Sequence, residues 1–455
     1  MITEDNLGYN MTKNKTQEYV LIIAMLVSIS ACSSVDNTNS IDNTKTKTLR
    51  VDNRQNDSST NASNTDDVKM LTNAAHLLLI DEQSVVFEKR SPKKIVKRKI
   101  SHNHSKKRNA TRNKISRPNY KSPIGKIRVA HLTGDYANNH QTLSFINKMV
   151  SKHGFDKGYL NYLFSNTKNT PFLQRMAYAD AHPRKKKSKK SRSGRWNRYR
   201  GNFLTNRTIN KGVEFWRKNR VALKRAEEQF GVPQEYILGI IGVETRYGEN
   251  VGKNRAIDAL SAMGFNNERR GKYFRSELES YLLMTRSARL DPLKPMSSYA
   301  GALGLSQFMP SNIKRYAVDH DRNGTVNLWT PADAIGSVAN YFKKHGWRKG
   351  GTVVVPAFTS SRKYRTLKTG FKSSHSLSRL KSRGVVANYM GNISGKASLI
   401  KLNTYSGDEL WLGGHNFYVI TRYNHSSHYA MAVHQLAQEI KKRISGRNII
   451  RQASL

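Results

Sequence analysis

The glutamate at position 244, in the segment GIIGVETRYG, is the residue whose type and setting best suit acid–base chemistry. Ile237, Ile240 and Ile241 precede it at helical spacing, so a helix through this segment places all four side chains on one face. A carboxyl group held against apolar neighbours has its charged form disfavoured, which raises its pKa. Glu244 could therefore carry a proton near neutral pH, as a general acid must.

Glu244 also has a purely structural interpretation, as a glutamate at a helix end that is exposed or paired with Arg246, Arg269 or Arg270. Glu249 is close enough in sequence to be considered as a second carboxyl group. No other glutamate or aspartate stands in a comparably apolar stretch. The residue pattern alone leaves the catalytic and the structural interpretations open.

A second group of oxygen-bearing residues has the spacing of the start of an EF-hand loop. Asp319, Asp321 and Asn323 fall at positions 1, 3 and 5, Gly324 makes the turn at position 6, and Thr325 offers its backbone carbonyl at position 7. Position 12 is a threonine, which cannot supply the usual bidentate carboxylate. The segment predicts either a weak structural calcium site or an Asx-rich turn without a metal.

The net charge of the 455-residue chain is +46, and the excess is concentrated in two basic runs, residues 95–114 and 184–195. Runs of like charge repel each other and usually stay disordered, so these segments are expected to be tails or linkers. Their charge suits nucleic-acid phosphates, anionic lipid headgroups or an acidic polymer. Charge alone does not choose among these partners.

The single cysteine, Cys32, follows the apolar run YVLIIAMLVSISA, which is too short to span a bilayer and has the length of a signal-peptide core. Residues 1–32 are therefore expected to be a signal peptide, with Met11 as an alternative start. Ile29-Ser30-Ala31-Cys32 resembles the lipobox of bacterial lipoproteins, although an incidental thiol is the alternative. Lipidation would place the protein at a membrane outside the cytoplasm, and Ser33 suits the periplasmic face of a Gram-negative outer membrane. Export makes nucleic acid an improbable partner.

Composition and periodicity divide the rest of the chain into five segments. Residues 33–135 are expected to be a disordered, partly basic tether, and residues 136–195 a helical region that ends in a basic linker. Residues 196–350 are rich in helix signals, residues 351–415 in short β-rich pieces, and residues 416–455 are helical again. The expected fold class is α+β, mainly α.

The helix signals are specific enough to give boundaries. In the first helical region a pair of helices is separated by Gly154, which suits a C-terminal stop. Further helices are predicted over residues 213–231, 233–248, 272–288, 331–346 and 428–443.

Four separated motifs resemble those of the membrane-bound B type of lytic transglycosylases, which cleave peptidoglycan and have a lysozyme-like core. In chain order they are GVETRYG, SSYAGALGLSQFMPS, DRNGTVNLWTPADAIGSVANYFKKHGW and FYVITRYNHSSHYAMAV. The resemblance extends from residue 141 to about residue 443. It implies a lysozyme-like catalytic domain over residues 196–350, with a preceding helical segment, a small β-rich insertion and a C-terminal helix that packs back on the core.

The resemblance implies that Glu244 acts first as acid and then as base on the bond between N-acetylmuramic acid and N-acetylglucosamine. The muramoyl 6-hydroxyl would close onto the anomeric carbon and form a 1,6-anhydro end. Since this hydroxyl replaces water, the second carboxyl group of ordinary glycosidases is not expected, and no cofactor is required for catalysis.

The resemblance also assigns residues around Glu244 and in the acidic loop. Asp333 would complete a structural calcium shell with Asp319, Asp321, Asn323 and Thr325. Ser298 could hold the substrate's acetamido group or the catalytic carboxyl. The positions that match substrate-binding residues of the family are Ser298, Gln307, Arg269, Arg270, Tyr273, Tyr341, Tyr423, Asn424 and Tyr429. A glycine-rich packing loop, a solvated helix start and core tyrosines are the structural alternatives for these residues.

Three other functions are weighed against a lytic transglycosylase acting on peptidoglycan glycan strands. A muramidase-type hydrolase would use the same glutamate with water. A non-catalytic cell-wall binding protein would share the fold but would not need Glu244. Nucleic-acid binding through the basic runs conflicts with export, so these runs are expected to contact anionic polymers or lipids instead.

Overall fold

The computed structural model describes residues 127–183 and 193–453, with side chains up to residue 446. The predictions for Cys32, for the run at residues 95–114 and for most of the run at residues 184–195 lie outside the described residues. In the described ranges no helix has both the length and the apolar character needed to cross a membrane.

The described part is mainly helical. Its α-helices are α1 (His140–His153), α2 (Lys157–Ser165), α3 (Pro171–Ala181), α4 (Arg195–Gly201), α5 (Asn206–Phe230), α6 (Gln234–Thr245), α7 (Ala256–Phe265), α8 (Gly271–Ser287), α9 (Pro310–Tyr316), α10 (Pro331–Lys344), α11 (Leu377–Ser382), α12 (His415–Ile420) and α13 (Ser427–Ala453). Short 3-10 helices occupy Gly134–Tyr136 and Arg362–Thr366.

The strands form one small ladder and one sheet. They are β1 (Asn254–Arg255), β2 (Met296–Ser297), β3 (Val354–Thr359), β4 (His375–Ser376), β5 (Val385–Val386), β6 (Lys396–Thr404) and β7 (Gly407–Gly413). β1 pairs with β2, and the five-stranded antiparallel sheet has the order β4-β6-β7-β3-β5. The sheet lies within residues 351–415, so the small β-rich insertion that the sequence predicts is confirmed.

Local signals explain several helix boundaries. The Asn139 side chain accepts a hydrogen bond from the backbone N–H of Thr142 and begins α1, and Gly154 ends it in the left-handed conformation at φ 64°. Gly231, at φ 71°, ends α5 in the same way. α5 starts earlier than predicted because the Thr205 hydroxyl caps it through the N–H of Thr208.

The helices enclose two hydrophobic cores, whereas the sequence predicts a single catalytic domain over residues 196–350. The first core is built by α4 to α6, α10, α12, α13 and one face of the sheet. The second combines α1 to α3 with α7 and α8. The predicted boundary at residue 195 is therefore wrong as a division between cores, because α7 and α8 bury their apolar faces against the helical region that precedes it.

The predicted tether also ends too late. The Asn161 side chain donates hydrogen bonds to the carbonyls of Val129 and Ala130, at 3.2 and 2.9 Å, and Asp135 accepts one from the N–H of Asn169. These contacts, together with Leu132, which packs against the second core, fix residues 129–135 in place. Side-chain to backbone hydrogen bonds, which leave no periodic signal, account for the difference.

Candidate active site

Glu244 lies in the last turn of α6, and this helix is surrounded by protein. Residues from Tyr236 to Val243 are all buried, so α6 has no solvent face of the kind that the isoleucine spacing suggests. α13 approaches it closely, because a Cβ atom added to Gly239 would stand 2.7 Å from the carbonyl oxygen of Val433. The glycine thus allows the contact that brings α13 beside Glu244.

The Glu244 side chain is half-buried, and its carboxyl group accepts a hydrogen bond from a tyrosine. The Tyr429 hydroxyl on α13 donates to its Oε1 atom at 2.5 Å. Burial raises the pKa of Glu244 to about 7, although the Tyr429 hydrogen bond acts in the opposite direction. The geometry therefore provides a carboxyl group that can be protonated or ionised near neutral pH, as the sequence predicts.

Tyr341 and Tyr423 lie near the same carboxyl group, since the charge of Glu244 contributes to raising the pKa of both phenols. Their ring centroids are 4.7 Å apart. Tyr341 donates to the carbonyl of Arg422 at 2.5 Å, and Tyr423 donates to the carbonyl of Ser306 at 2.6 Å. Their hydroxyls therefore fix neighbouring backbone, whereas the Tyr429 hydroxyl acts on the carboxyl itself.

Asn424, the remaining position of the fourth motif, is buried just before α13. Its backbone carbonyl accepts from the N–H of Ser426 at 2.7 Å, in the turn that leads into the helix. Tyr341, Tyr423 and Tyr429, which the sequence predicts as site residues, are thus brought together around Glu244, and Asn424 follows Tyr423 in the turn before α13.

The glycine-rich loop after β2 is tied to the end of α6. The Thr245 hydroxyl lies 3.3 Å from the carbonyl of Leu305 and donates to it. Gln307 has a left-handed backbone at φ 49°, and its amide donates to the carbonyls of Gly304 and Val251. The amide nitrogen of Gln307 therefore holds the loop in place. Its amide oxygen takes part in neither of these two hydrogen bonds.

Ser298 stands at the start of this loop. Its Oγ atom accepts a hydrogen bond from the N–H of Ala302 at 3.1 Å, and the backbone groups of these two residues also pair. The Ser298 hydroxyl is half-buried and keeps its hydrogen available for another acceptor. Its described contacts hold the turn and do not reach Glu244.

Arg269 and Arg270 contact protein carboxyl and carbonyl groups before α8. Arg270 donates to the Asp180 carboxylate at 3.0 Å, and Arg269 donates twice to the Asp180 carbonyl. Asp180 is 1% exposed and also accepts from Asn267. These arginines therefore join α3 to α8, a role that the interpretation as a solvated helix start did not include.

Glu277 on α8 is, among the described residues, a second carboxyl group whose pKa is raised by burial, which contradicts the expectation that only Glu244 has such a setting. Burial raises the pKa of Glu277, and hydrogen bonds oppose the rise. Ser311 donates to it through its N–H at 2.9 Å and its hydroxyl at 2.8 Å, and Tyr273 also hydrogen bonds to it. Glu277 thus caps the start of α9. Its helical spacing with Phe274 and Tyr281 could have signalled burial.

Glu249, the acidic neighbour of Glu244 in sequence, has the opposite environment. It forms ion pairs with Arg207 and Lys211, and these partners hold its pKa below the usual range. A carboxyl group that stays ionised cannot act as the acid. This excludes Glu249 from that role.

The acidic loop gathers its carboxylates as its spacing predicts. Oxygen atoms of Asp319, Asp321 and Asp333 lie within 4.8 Å of one another. Asp333 is fully buried and accepts from backbone N–H groups, including that of His320 at 2.7 Å. The Asn323 side chain accepts from the N–H and hydroxyl of Thr325. Three convergent carboxylates, two from the loop and one from the first turn of α10, fit a hard cation with oxygen ligands.

Residues 138–438 match the family model described as the transglycosylase SLT domain, and the chain belongs to this family. It is 47% identical over 313 residues to membrane-bound lytic murein transglycosylase B of Escherichia coli (strain K12). The aligned residues cover 69% of this chain and 86% of that protein. These matches confirm the resemblance seen in the four motifs.

Two solved structures are similar in sequence and fold. The Escherichia coli lytic transglycosylase Slt35 in complex with calcium is 45% identical, with a TM-score of 0.64 over 70% of this chain and 98% of that one. The soluble lytic transglycosylase SltB1 from Pseudomonas aeruginosa is 41% identical, with a TM-score of 0.61 over 67% and 99%. The predicted fold class, α+β and mainly α with a lysozyme-like core, is confirmed.

Proposed function

We propose that this protein is a peptidoglycan lytic transglycosylase, a lyase that cleaves the bond between N-acetylmuramic acid and N-acetylglucosamine. The observation that carries the proposal is the Glu244 carboxyl group, half-buried, with its pKa raised to about 7 and one tyrosine donor. Such a group exchanges a proton in both directions near neutral pH. The family and its relatives support the substrate class.

The reaction needs one proton-carrying group. Protonated Glu244 donates its proton to the glycosidic oxygen as the bond from that oxygen to the muramoyl anomeric carbon breaks. The resulting Glu244 carboxylate then removes the proton of the muramoyl 6-hydroxyl, and this oxygen bonds to the anomeric carbon. The product is a 1,6-anhydromuramoyl end, no water is consumed, and Glu244 is protonated again. Tyr429 stabilises the intermediate carboxylate by donating to it.

The proposed substrate-binding residues differ in their roles. Tyr341, Tyr423, Asn424 and Tyr429 form one wall around the reacting carboxyl. Ser298 offers its hydroxyl hydrogen to the acetamido group, and the amide oxygen of Gln307 accepts from a sugar hydroxyl. Arg269, Arg270 and Tyr273, at the start of α8, would contact the substrate as well, and the arginines also hold Asp180.

Calcium has a structural role in the proposal. Asp319, Asp321, Asn323, Asp333 and the carbonyl of Thr325 would hold it, and the ion would fix the loop that leads into α10. The Slt35 complex with calcium supports this assignment. The reaction itself uses no cofactor.

The protein is further proposed to be an exported lipoprotein. Cys32 would carry the lipid, residues 33–126 would tether the enzyme, and Ser33 would direct it to the periplasmic face of the outer membrane. The basic runs would contact anionic polymers or lipids. The name of the membrane-bound Escherichia coli relative supports membrane attachment.

Digestion of purified sacculi by the full-length protein, followed by mass spectrometry, tests the activity. Anhydro ends are expected, each lighter than the hydrolytic product by one water. Reducing ends would instead identify a muramidase-type hydrolase. Glu244→Gln is expected to release no fragments. Full digestion by this variant would refute the assigned role of Glu244, and no digestion by the unaltered protein would favour a non-catalytic wall-binding protein.

A further inference from the structure

Glu277 is a buried carboxyl group that the proposed reaction does not use. It lies on α8, which packs in the second core, and its side chain is only 4% exposed. Its two oxygen atoms accept hydrogen bonds from the hydroxyl of Ser311 at 2.8 Å and from the N–H of the same residue at 2.9 Å. The Tyr273 hydroxyl, one turn earlier on α8, is a third donor. Donors from two separate helices therefore converge on one side chain.

The start of α9 depends on this carboxyl group because it has no local cap. Met309 occupies the N-cap position, and its side chain makes no capping hydrogen bond. Backbone N–H groups in the first turn of a helix have no partner within the helix and need an acceptor from elsewhere. Glu277 supplies that acceptor to the N–H of Ser311 from a different helix. It therefore determines where α9 begins relative to α8.

The chain reaches Ser311 directly from the glycine-rich loop after β2. Phe308, three residues before Ser311, packs on Tyr341 and Tyr423, with ring centroids 5.6 and 5.8 Å apart. Both tyrosines lie near Glu244, whose charge adds to the effect of burial in raising the pKa of their phenols. A displacement of Ser311 would therefore shift the end of the loop that packs against the site.

The groups that Glu277 holds belong to the proposed substrate-binding residues or adjoin them. The loop that ends at Ser311 carries Ser298 and Gln307. Tyr273 is 36% exposed, so part of its ring reaches the surface while its hydroxyl is held from the interior by Glu277. One buried carboxyl group thus connects two surfaces that come from different helices.

We infer that Glu277 is a substrate-positioning residue, which fixes Tyr273 and the loop end at Ser311 for binding of the glycan strand. It acts through these two residues and exchanges no proton with the substrate. The inference rests on the proposed function, which assigns Tyr273 and the loop to the substrate. Loss of Glu277 should therefore change KM, whereas kcat, which depends on Glu244, should be largely retained.

Kinetics on soluble glycan strands test the inference with Glu277→Met, which keeps a similar length and removes both acceptor oxygens. Glu279→Met is the matched control. Glu279 lies two residues further along α8, about 200° around the helix, is 8% exposed and pairs with Lys148, Lys152 and His153 on α1. Both variants should lower Tm, because each removes the partner of several donors.

Only the Glu277 variant should alter substrate binding. Glu277→Met is expected to raise KM about tenfold with kcat within about threefold, and Glu279→Met to leave both within about twofold. Glu277→Gln is the conservative variant, because its single amide oxygen can still accept from the N–H of Ser311. It should restore part of the affinity and raise KM by about threefold.

Binding separates a failure of the inference from a failure of the proposed function. Co-sedimentation with sacculi is measured in the Glu244→Gln background, where no turnover is expected. Adding Glu277→Met should weaken binding about tenfold, and adding Glu279→Met should change it by less than about twofold. If the unaltered protein cleaves no glycan, the proposed function fails, and this comparison still tests the role of Glu277.

Two results would overturn the inference. One is a KM and an affinity for sacculi in Glu277→Met equal to those of the Glu279 control, which would leave Glu277 with a role in stability alone. The other is a loss of kcat greater than about 100-fold together with loss of one limb of the pH profile. Glu277 would then be an acid or base of the reaction and not a positioning residue.

Discussion

The Tyr429 hydroxyl donates to the Glu244 carboxyl at 2.5 Å, although the two residues are 185 positions apart in the sequence. α13 carries the tyrosine to the end of α6, and Gly239 permits the two helices to pack closely. The pKa of the proposed acid–base group therefore depends on a helix outside the segment that contains it.

The Tyr429→Phe substitution is expected to raise the pKa of Glu244 above about 7, because the hydroxyl stabilises the charged form. Since protonated Glu244 begins the reaction in the proposed mechanism, the alkaline limb of the kcat/KM profile should move up by roughly one pH unit. Profiles on sacculi or soluble glycan measure this shift. Tyr423→Phe is the matched control, because its hydroxyl donates to the Ser306 carbonyl. An unchanged limb in Tyr429→Phe would show that another group sets the profile.

Glu244→Gln should remove activity and add stability at alkaline pH. Loss of a general acid and base costs about 100- to 10,000-fold in rate. Because the folded pKa of Glu244 lies near 7, above the ordinary 4.5, the folded state binds more protons than the unfolded state between these values. The stability of the unaltered protein therefore falls as pH rises through this window, by about 3 kcal/mol.

The glutamine variant lacks this loss, so its free energy of unfolding should exceed that of the unaltered protein above pH 7 and approach it near pH 4.5. Denaturant titrations at both pH values measure the difference. Equal stabilities at pH 8 would mean that Glu244 ionises in the folded protein without cost.

Arg270→Ala tests whether this arginine is chiefly a partner of Asp180. Asp180 is 1% exposed, so losing one of its charged donors should lower the free energy of unfolding by about 2 kcal/mol. Thermal unfolding measures the loss, with the exposed neighbour Lys272→Ala as control. A raised KM at unchanged stability would instead assign Arg270 to substrate alone.

Calcium should stabilise the folded protein through the loop at residues 319–333. Millimolar calcium is expected to raise Tm by roughly 5 °C, because only the folded chain gathers the three carboxylates. Asp321→Asn should abolish most of the rise, since it removes one ligand charge from the loop without emptying the buried position of Asp333. The same Tm with calcium and with a chelator would leave the loop as a metal-free turn.

Much of the functional argument was available in the sequence. The motif around Glu244, the loop with Ser298 and Gln307, and the spacing of Asp319, Asp321 and Asn323 identify the family and the candidate residues. These features are local, and local spacing determines which side chains share a turn or a helical face. The small sheet and most helix positions follow from the same kind of signal.

Tertiary structure decided what those residues contact. The isoleucine spacing before Glu244 suggests one apolar face, yet α6 is buried on all sides, and its surroundings come from α5, α10 and α13. Asp180 accepts a hydrogen bond from the guanidinium of Arg270, and Glu277 is a second carboxyl group whose pKa is raised by burial. Burial, pKa and hydrogen-bond partners depend on segments that are distant along the chain. Local periodicity does not determine which of these segments come into contact.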